Sequence, residues 1–305
     1  MNKKYLLGIC FFVLLSVTSL ISALYHLQKK SLQNVLGSYT FALTKNNLYN
    51  LSKIRITSAD GNEFTFYYDS GIWRFEEAAD YFVNDKMINN FYAMVQNSIL
   101  TQKAGETDKN PKNRINIKTY SVDGRILDNI YLEKDNYSLM SYADNNSIYK
   151  ITHTENFSDI PEDWLPSPLL EINTDLISAV NFNGKYAERK TLEEVMQFSE
   201  NRQNLYMALD KINYEGIMPD ELFDSEYNQT EKKELKIYLR GGLNYLLKIF
   251  KDDENYYIRI DPQRELIART EVNGIIRIKK MYYEGWTFIL PPEQGEILYN
   301  ADTFM

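Results

Sequence analysis

From Tyr5 to Tyr25 the chain carries no charged residue, and lysine pairs bound the run at Lys3-Lys4 and Lys29-Lys30. As a helix, its 21 residues extend about 31 Å at about 1.5 Å per residue, which matches a hydrocarbon core of about 30 Å. The run divides the chain into a membrane anchor, carried by Tyr5, Leu6, Phe11, Phe12, Leu14, Leu15, Leu20, Ile21 and Tyr25, and a polar globular body. A cleaved secretory signal has a shorter apolar region ending in small residues. Here Ile21-Ser22-Ala23 is a poor cleavage site. Cys10 invites comparison with a lipid-modified cysteine, but Ile9 stands where a small residue is required, so Cys10 reads as an apolar residue of the span. Uncleaved anchoring is the reading adopted, with cleavage left open. The lysines are nearly balanced across the span, and the short N-terminal tail favours a body outside the cytoplasm. The expected location is the cytoplasmic membrane, crossed once, with the body extracytoplasmic.

Cys10 is the only cysteine, so the body forms no disulfide and tolerates either redox compartment. The net charge of −8 argues against nucleic acid, which needs clustered lysine and arginine. Only His26 and His153 are present, which removes most histidine-based triads and zinc sites. With 24 tyrosines and 15 phenylalanines the body suits a β-rich architecture.

The pattern predicts an α+β fold: one N-terminal transmembrane helix (1–30), a stalk (31–49), a first module (50–158), a proline-rich linker (159–175) and a second module (176–305), the two modules being similar antiparallel sheet-plus-helix units. Leu51, Ile54 and Ile56 lead to Asp60-Gly61, and Phe64, Phe66 and Tyr68 follow, which reads as a hairpin. Ile72 to Phe75 reads as a third strand. Asn84 or Asp85 caps a helix whose apolar face is Met87, Ile88, Phe91, Met94 and Val95. Four strands follow, around Ile115-Ile117, Ile130-Leu132, Tyr137-Leu139 and Ile148-Ile151, with a turn at Asp123-Gly124. After Asp159 to Pro168 the order starts again: a strand to Phe182, a helix from Thr191 through Ile212 with Leu192, Val195, Met196, Leu205 and Leu209 on its apolar face, then strands from Leu235. Ile275 to Lys280 and Trp286 to Leu290 read as the strands that close the second sheet. The self-similar offset is about 120 residues, weak at the level of residues, so a tandem duplication is one of two open readings.

The succession Leu51-Ser-Lys-Ile54-Arg-Ile56, the hairpin, Gly71-Ile72-Trp73, the helix opening at Val83-Asn84-Asp85 and the strands from Tyr137 to Ile151 resemble the bacterial membrane-anchored proteins grouped as domain of unknown function 4340. The resemblance covers roughly residues 50 to 290 and is strongest before Trp164. Its members are often encoded beside gliding-motility-type ABC transporter subunits. The resemblance therefore implies a bacterial inner (cytoplasmic) membrane with the body periplasmic or extracellular, an accessory role in the envelope and ABC transporter subunits as partners.

Paired carboxylates are the only plentiful reagents: Glu76-Glu77 with Asp80, Glu162-Asp163, Glu193-Glu194 and Asp252-Asp253-Glu254. Such pairs divide acid and base roles in glycoside hydrolysis, but each sits in an expected loop or helix start, where acids solvate a turn or favour the helix dipole. Asp252-Asp253-Glu254 lacks a calcium loop's spacing and reads as a hairpin turn. Lone His153 reads as a surface residue, and Gly241-Gly242 as a turn rather than a phosphate loop. No catalytic, cofactor or metal residue is assigned. Adjacent tyrosines on a strand point to opposite faces, so Tyr68, Tyr257 and Tyr283 are the candidates for an aromatic binding surface, against the simpler reading of cross-strand packing. The expected function is a non-catalytic accessory or scaffold subunit of an envelope complex. A glycan- or wall-binding module using exposed aromatics and a carboxylate-dependent hydrolase are the alternatives.

Overall fold

A computed structural model describes residues 37–38, 40–42, 48–106, 113–144, 147–188, 200–227, 230–264 and 270–301. The run Tyr5 to Tyr25 lies outside these, as do Leu192, Val195 and Met196 of the second expected helix. Among the described residues no helix is long and apolar enough to cross a membrane.

The body is mostly β with a few short helices. In chain order its strands are β1 (Leu51–Thr57), β2 (Glu63–Asp69), β3 (Ile72–Phe75), β4 (Tyr81–Phe82), β5 (Leu100–Glu106), β6 (Arg114–Ser121), β7 (Ile126–Glu133), β8 (Asn136–Tyr142) and β9 (Ser147–Ile151). They continue with β10 (Leu170–Glu171), β11 (Ile177–Phe182), β12 (Lys185–Glu188), β13 (Lys211–Ile212), β14 (Gly216–Pro219), β15 (Glu231–Leu239), β16 (Leu243–Lys251), β17 (Tyr256–Arg264) and β18 (Trp286–Leu290). The helices are α1 (Asp85–Asn97), α2 (Glu200–Asp210), α3 (Asp220–Glu226), α4 (Thr270–Tyr283) and α5 (Pro292–Tyr299). Two large antiparallel sheets result, as expected. One has nine strands in the order β4-β3-β2-β1-β6-β7-β8-β9-β5, the other seven in the order β12-β11-β15-β16-β17-β18-β14, and β10 and β13 form a separate short pair. The chain groups into two compact units, Met1–Gly71 with Asp85–Pro161, and Ile72–Asn84 with Glu162–Met305.

In the first unit, period-two alternation decides the faces. Ile54, Ile56, Phe64, Phe66, Ile115, Ile117, Ile130 and Leu132 are buried, and α1 lays down Ile88, Phe91, Met94 and Val95, the spacing of three and four that the sequence predicts. Two hairpins share one turn chemistry. Ser58 and Ser121 each donate to an aspartate two residues on, Asp60 and Asp123, and to the backbone carbonyl four residues on. Gly61 and Gly124 supply the positive φ, 94° and 80°, that a side chain resists. Part of the expected stalk is packed structure. Gly37 N–H donates to the Leu100 carbonyl and Thr40 N–H to that of Ser98, Ala42 N–H donates to buried Asp128 Oδ1 at 2.7 Å, and Phe41 is buried beside Phe91.

In the second unit, Val180, Phe182, Leu235, Ile237, Leu247, Ile249, Ile258 and Phe288 form one apolar cluster that also takes in Tyr81 and Phe82 of β4. The expected strand at Ile275 to Lys280 is instead part of helix α4. A short run of β-branched residues suits either structure. Ile276 and Tyr283, seven residues apart and both buried, with Ile275 exposed, carry a helical stripe, whereas a strand would alternate. Leu205 and Leu209 of α2 are buried as expected, but that helix ends at Asp210 and Ile212 belongs to β13. Strands β4, β5, β10, β12, β13 and β14 and helices α3 and α5 had no counterpart among the expected elements.

Candidate functional site

Within the second unit a cleft of about 620 Å³ opens beside β14. Gly216 and Ile217 of β14, with Tyr214 and Glu215 before it, form one wall. Glu77 and Ala78 with Glu162, Leu165 and Ser167 complete the lining. Each wall is fixed locally. Glu76–Ala78 is a single 3-10 turn, followed by Ala79 and Asp80 at φ 55° and 63° and closed by Asp80 N–H on the Phe75 carbonyl. Fully buried Trp164 holds the second proline-rich turn, its carbonyl accepting from Asn84 N–H at 2.7 Å. Tyr214 donates to the Pro166 carbonyl at 2.7 Å and sets its ring against Phe288, and burial pushes its phenol pKa up. Glu215 N–H donates to the Ile289 carbonyl at 2.8 Å.

Two properties give the cleft chemical character. Glu77, Glu162 and Glu215 line it and no lysine, arginine or histidine does. The sheet order ends at β14, which pairs only with β18 among the described residues. The cleft takes in Gly216 and Ile217 of this edge strand, and an edge strand offers backbone groups for strand addition. Pro219, lacking an N–H, limits that edge to Gly216 through Met218.

A second, smaller hollow of about 230 Å³ contains Asp220, Lys248, Arg259, Asp261 and Lys280. Most of its charge is internally matched. Arg259 Nε lies 2.8 Å from Asp220 Oδ1, its Nη2 lies 2.6 Å from Asp224 Oδ1, and Nε also donates to Thr287 at 2.7 Å. The guanidinium lies over Phe223 and Phe250 at 4.9 and 5.3 Å, and Lys280 pairs with Asp261. This arrangement pins α3 to the sheet.

The three candidate aromatics separate. Tyr68 is 48% exposed, but Tyr257 is 1% and Tyr283 7% exposed, which corrects the expectation that they share a surface. The alternation rule puts one ring of a pair outward, but α3 covers that side of β17. Tyr257 packs against Phe223 and Tyr227 and donates to Asp252 Oδ2 at 2.7 Å. Tyr283 lies on α4 rather than on a strand, and donates to the Leu169 carbonyl. Asp252-Asp253-Glu254 is the expected hairpin turn, with Asp252 Oδ1 accepting from the N–H groups of Glu254 and Asn255. Burial works against the Asp252 carboxylate, yet Tyr257 and these N–H groups outweigh it and hold its pKa low. His153 is exposed at a turn with φ 60°. Among the described residues no three His, Cys, Asp or Glu side chains are grouped to hold a metal ion. Glu193-Glu194 lies outside the described residues.

The structure brings Glu77 and Glu162, from two separate acidic clusters, to one cleft. Sequence reasoning passed over Tyr214, Glu215 and Arg259. Arg259 alone carried a signal, a cation in the middle of an apolar strand. Compared with family models, curated proteins and solved structures, the chain matches none.

Proposed function

We propose that the chain is a membrane-anchored, extracytoplasmic binding subunit of a bacterial envelope complex that holds a partner protein rather than turning over a substrate. The observation that carries this reading is an acidic cleft that takes in residues of the edge strand β14. Backbone groups at an open sheet edge recruit an extended segment, and flanking side chains select it. The three carboxylates that line it favour a segment bearing lysine or arginine. The resemblance noted above nominates ABC transporter subunits as the envelope partner. Cross-linking and co-purification from membranes, with the anchor intact, tests this. Recovery of an envelope protein that is lost in an E162K/E215K double variant supports it, and recovery of none overturns it.

The three glutamates of this one cleft also favour a second reading, a carboxylate-dependent hydrolase. E162Q or E215Q would abolish turnover in a hydrolase, while in a binding cleft these variants weaken partner recovery alone.

We further propose that the two sheets are tandem copies of one module. Numbering each sheet's strands by sequence, with β3 and β4 set aside, both run in the order 2-1-4-5-6-7-3, and α1 and α2 occupy the same place after the second strand. A bulge recurs in the first strand, at Leu51/Lys53 and at Ile177/Ala179. The bulged serines, Ser52 and Ser178, donate to the carbonyls of Tyr120 and Tyr238.

A further inference from the structure

Strand β14 ends its sheet, and its register leaves one residue to meet an added strand. Gly216 lies opposite Ile289, Ile217 opposite Phe288, Met218 opposite Thr287 and Pro219 opposite Trp286. The same register brings Asp220 to Gly285, whose carbonyl accepts from the Asp220 N–H at 2.9 Å. That bond sets the phase. Hydrogen-bonded positions of an antiparallel pair alternate with positions whose N–H and C=O point away, so Gly216 and Met218 bond to β18 while Ile217 turns both groups outward. The outward positions on either side donate nothing further. Pro219 has no N–H, and the Glu215 N–H is held by the Ile289 carbonyl at 2.8 Å.

Packing decides where a residue opposite Ile217 would point. Ile217 borders the main apolar cluster of this unit, as do Ala78, Leu165 and Tyr214 of the cleft, whereas Met218 borders the separate cluster of Phe223, Phe250 and Tyr257. The Tyr214 ring also meets Phe288, the cross-strand partner of Ile217. The cleft therefore lies on the face to which Ile217 projects, and a cross-strand neighbour of Ile217 projects to that face too. There it meets the lining carboxylates of Glu77, Glu162 and Glu215. Among the described residues Glu162 and Glu215 enter no ion pair.

We propose that β14 accepts an extended, antiparallel segment of a partner protein in a single register, with a lysine or arginine directly opposite Ile217. Its backbone exchanges two hydrogen bonds with Ile217, its aliphatic stem lies along Leu165 and Ala78, and its cation reaches the carboxylates. The proposal rests on the partner-binding reading and adds which residue of the partner is read. Charge complementarity selects the side chain, and the open edge selects a peptide over a free diamine.

The test uses the full chain in nanodiscs and the fluorescence anisotropy of short, end-blocked peptides of threonine and valine in which the central residue is varied. Central lysine or arginine is expected to bind about tenfold more tightly than central norleucine, which keeps the stem and drops the charge, and added salt should shrink this preference. Methylating the central lysine's backbone nitrogen deletes the N–H that the Ile217 carbonyl accepts and should weaken binding about tenfold. Methylating the next nitrogen, which points away from β14, should change it by less than about twofold. Glu162 and Glu215 are exposed, so Glu162→Gln and Glu215→Gln spare the fold. Each should weaken the lysine peptide about fivefold and leave the norleucine peptide unchanged. Equal binding of the lysine and norleucine peptides overturns the proposal, as do equal effects of the two methylations or displacement by cadaverine as readily as by peptide. Absence of peptide binding overturns it too. Recovery of an envelope protein that is lost in the E162K/E215K variant would then leave the wider partner-binding reading standing by itself.

Discussion

At the residue scale, the two hairpin turns of the first unit tie stability to acid. Asp60 and Asp123 each accept from a serine hydroxyl, the largest of several influences that hold their carboxyls below the ordinary aspartate value. A carboxylate whose pKa is lower when folded adds stability above its unfolded pKa, near 3.9, and that stability is lost as pH falls through the folded value. Ser58→Ala and Ser121→Ala should therefore lower the urea midpoint at pH near 6, and the gap from the parent should shrink as pH drops below about 4. A gap that stays constant with pH would assign the serines a purely uncharged role. These turns were legible in the sequence, because Ser-x-Asp-Gly carries its geometry locally. The environments of Tyr257 and Tyr283 were not, because both depend on what covers them.

At the element scale, two helices are held by single residues. A Cβ added to Gly295 of α5 would come within 2.4 Å of the Tyr256 Cβ. That atom is fixed to the β17 backbone and cannot swing aside, so Gly295→Ala should cost about 1–3 kcal/mol in urea unfolding. Arg259 performs the corresponding task for α3 through Asp220, Asp224 and the rings of Phe223 and Phe250. Removing a largely buried ion-pair partner leaves carboxylates uncompensated, and Arg259→Ala should cost roughly 2–4 kcal/mol. Hydrogen exchange should quicken in Asp220–Glu226 before it does elsewhere, and unchanged exchange there would show that α3 is held by its apolar contacts alone. The misread α4 belongs to this scale too. Its run Ile275-Ile276-Arg277-Ile278 satisfies a strand pattern, and only burial seven residues apart at Ile276 and Tyr283 distinguishes the helix.

At the scale of the whole molecule, the second unit is discontinuous in sequence. Its core includes Tyr81, 1% exposed, whose hydroxyl donates to the Tyr282 carbonyl and whose ring meets Trp286 and Phe288 at 5.2 and 5.5 Å. A fragment beginning at Glu162 lacks this segment, and losing a buried aromatic costs about 3–5 kcal/mol, a large share of a typical domain's stability. The fragment 162–305 should show poorly dispersed amide spectra, and adding a peptide of residues 72–84 should restore dispersion. A well-dispersed spectrum without the peptide would make the segment dispensable.

The sequence by itself determined what depends on neighbours in the chain: hairpins at Asp60-Gly61 and Asp123-Gly124, the apolar stripe of α1, and the alternation that sends Ile54 and Lys53 to opposite faces. It also established the uncharged run Tyr5 to Tyr25, whose length is its message. Tertiary structure alone decided what depends on partners far along the chain. Lys118 reaches Arg55 only through the register of β1 with β6, and Glu77, Glu162 and Glu215 converge only because three separated segments fold against one another. Periodicity is a local property of covalent geometry, whereas a site is a coincidence of side chains that only packing brings about.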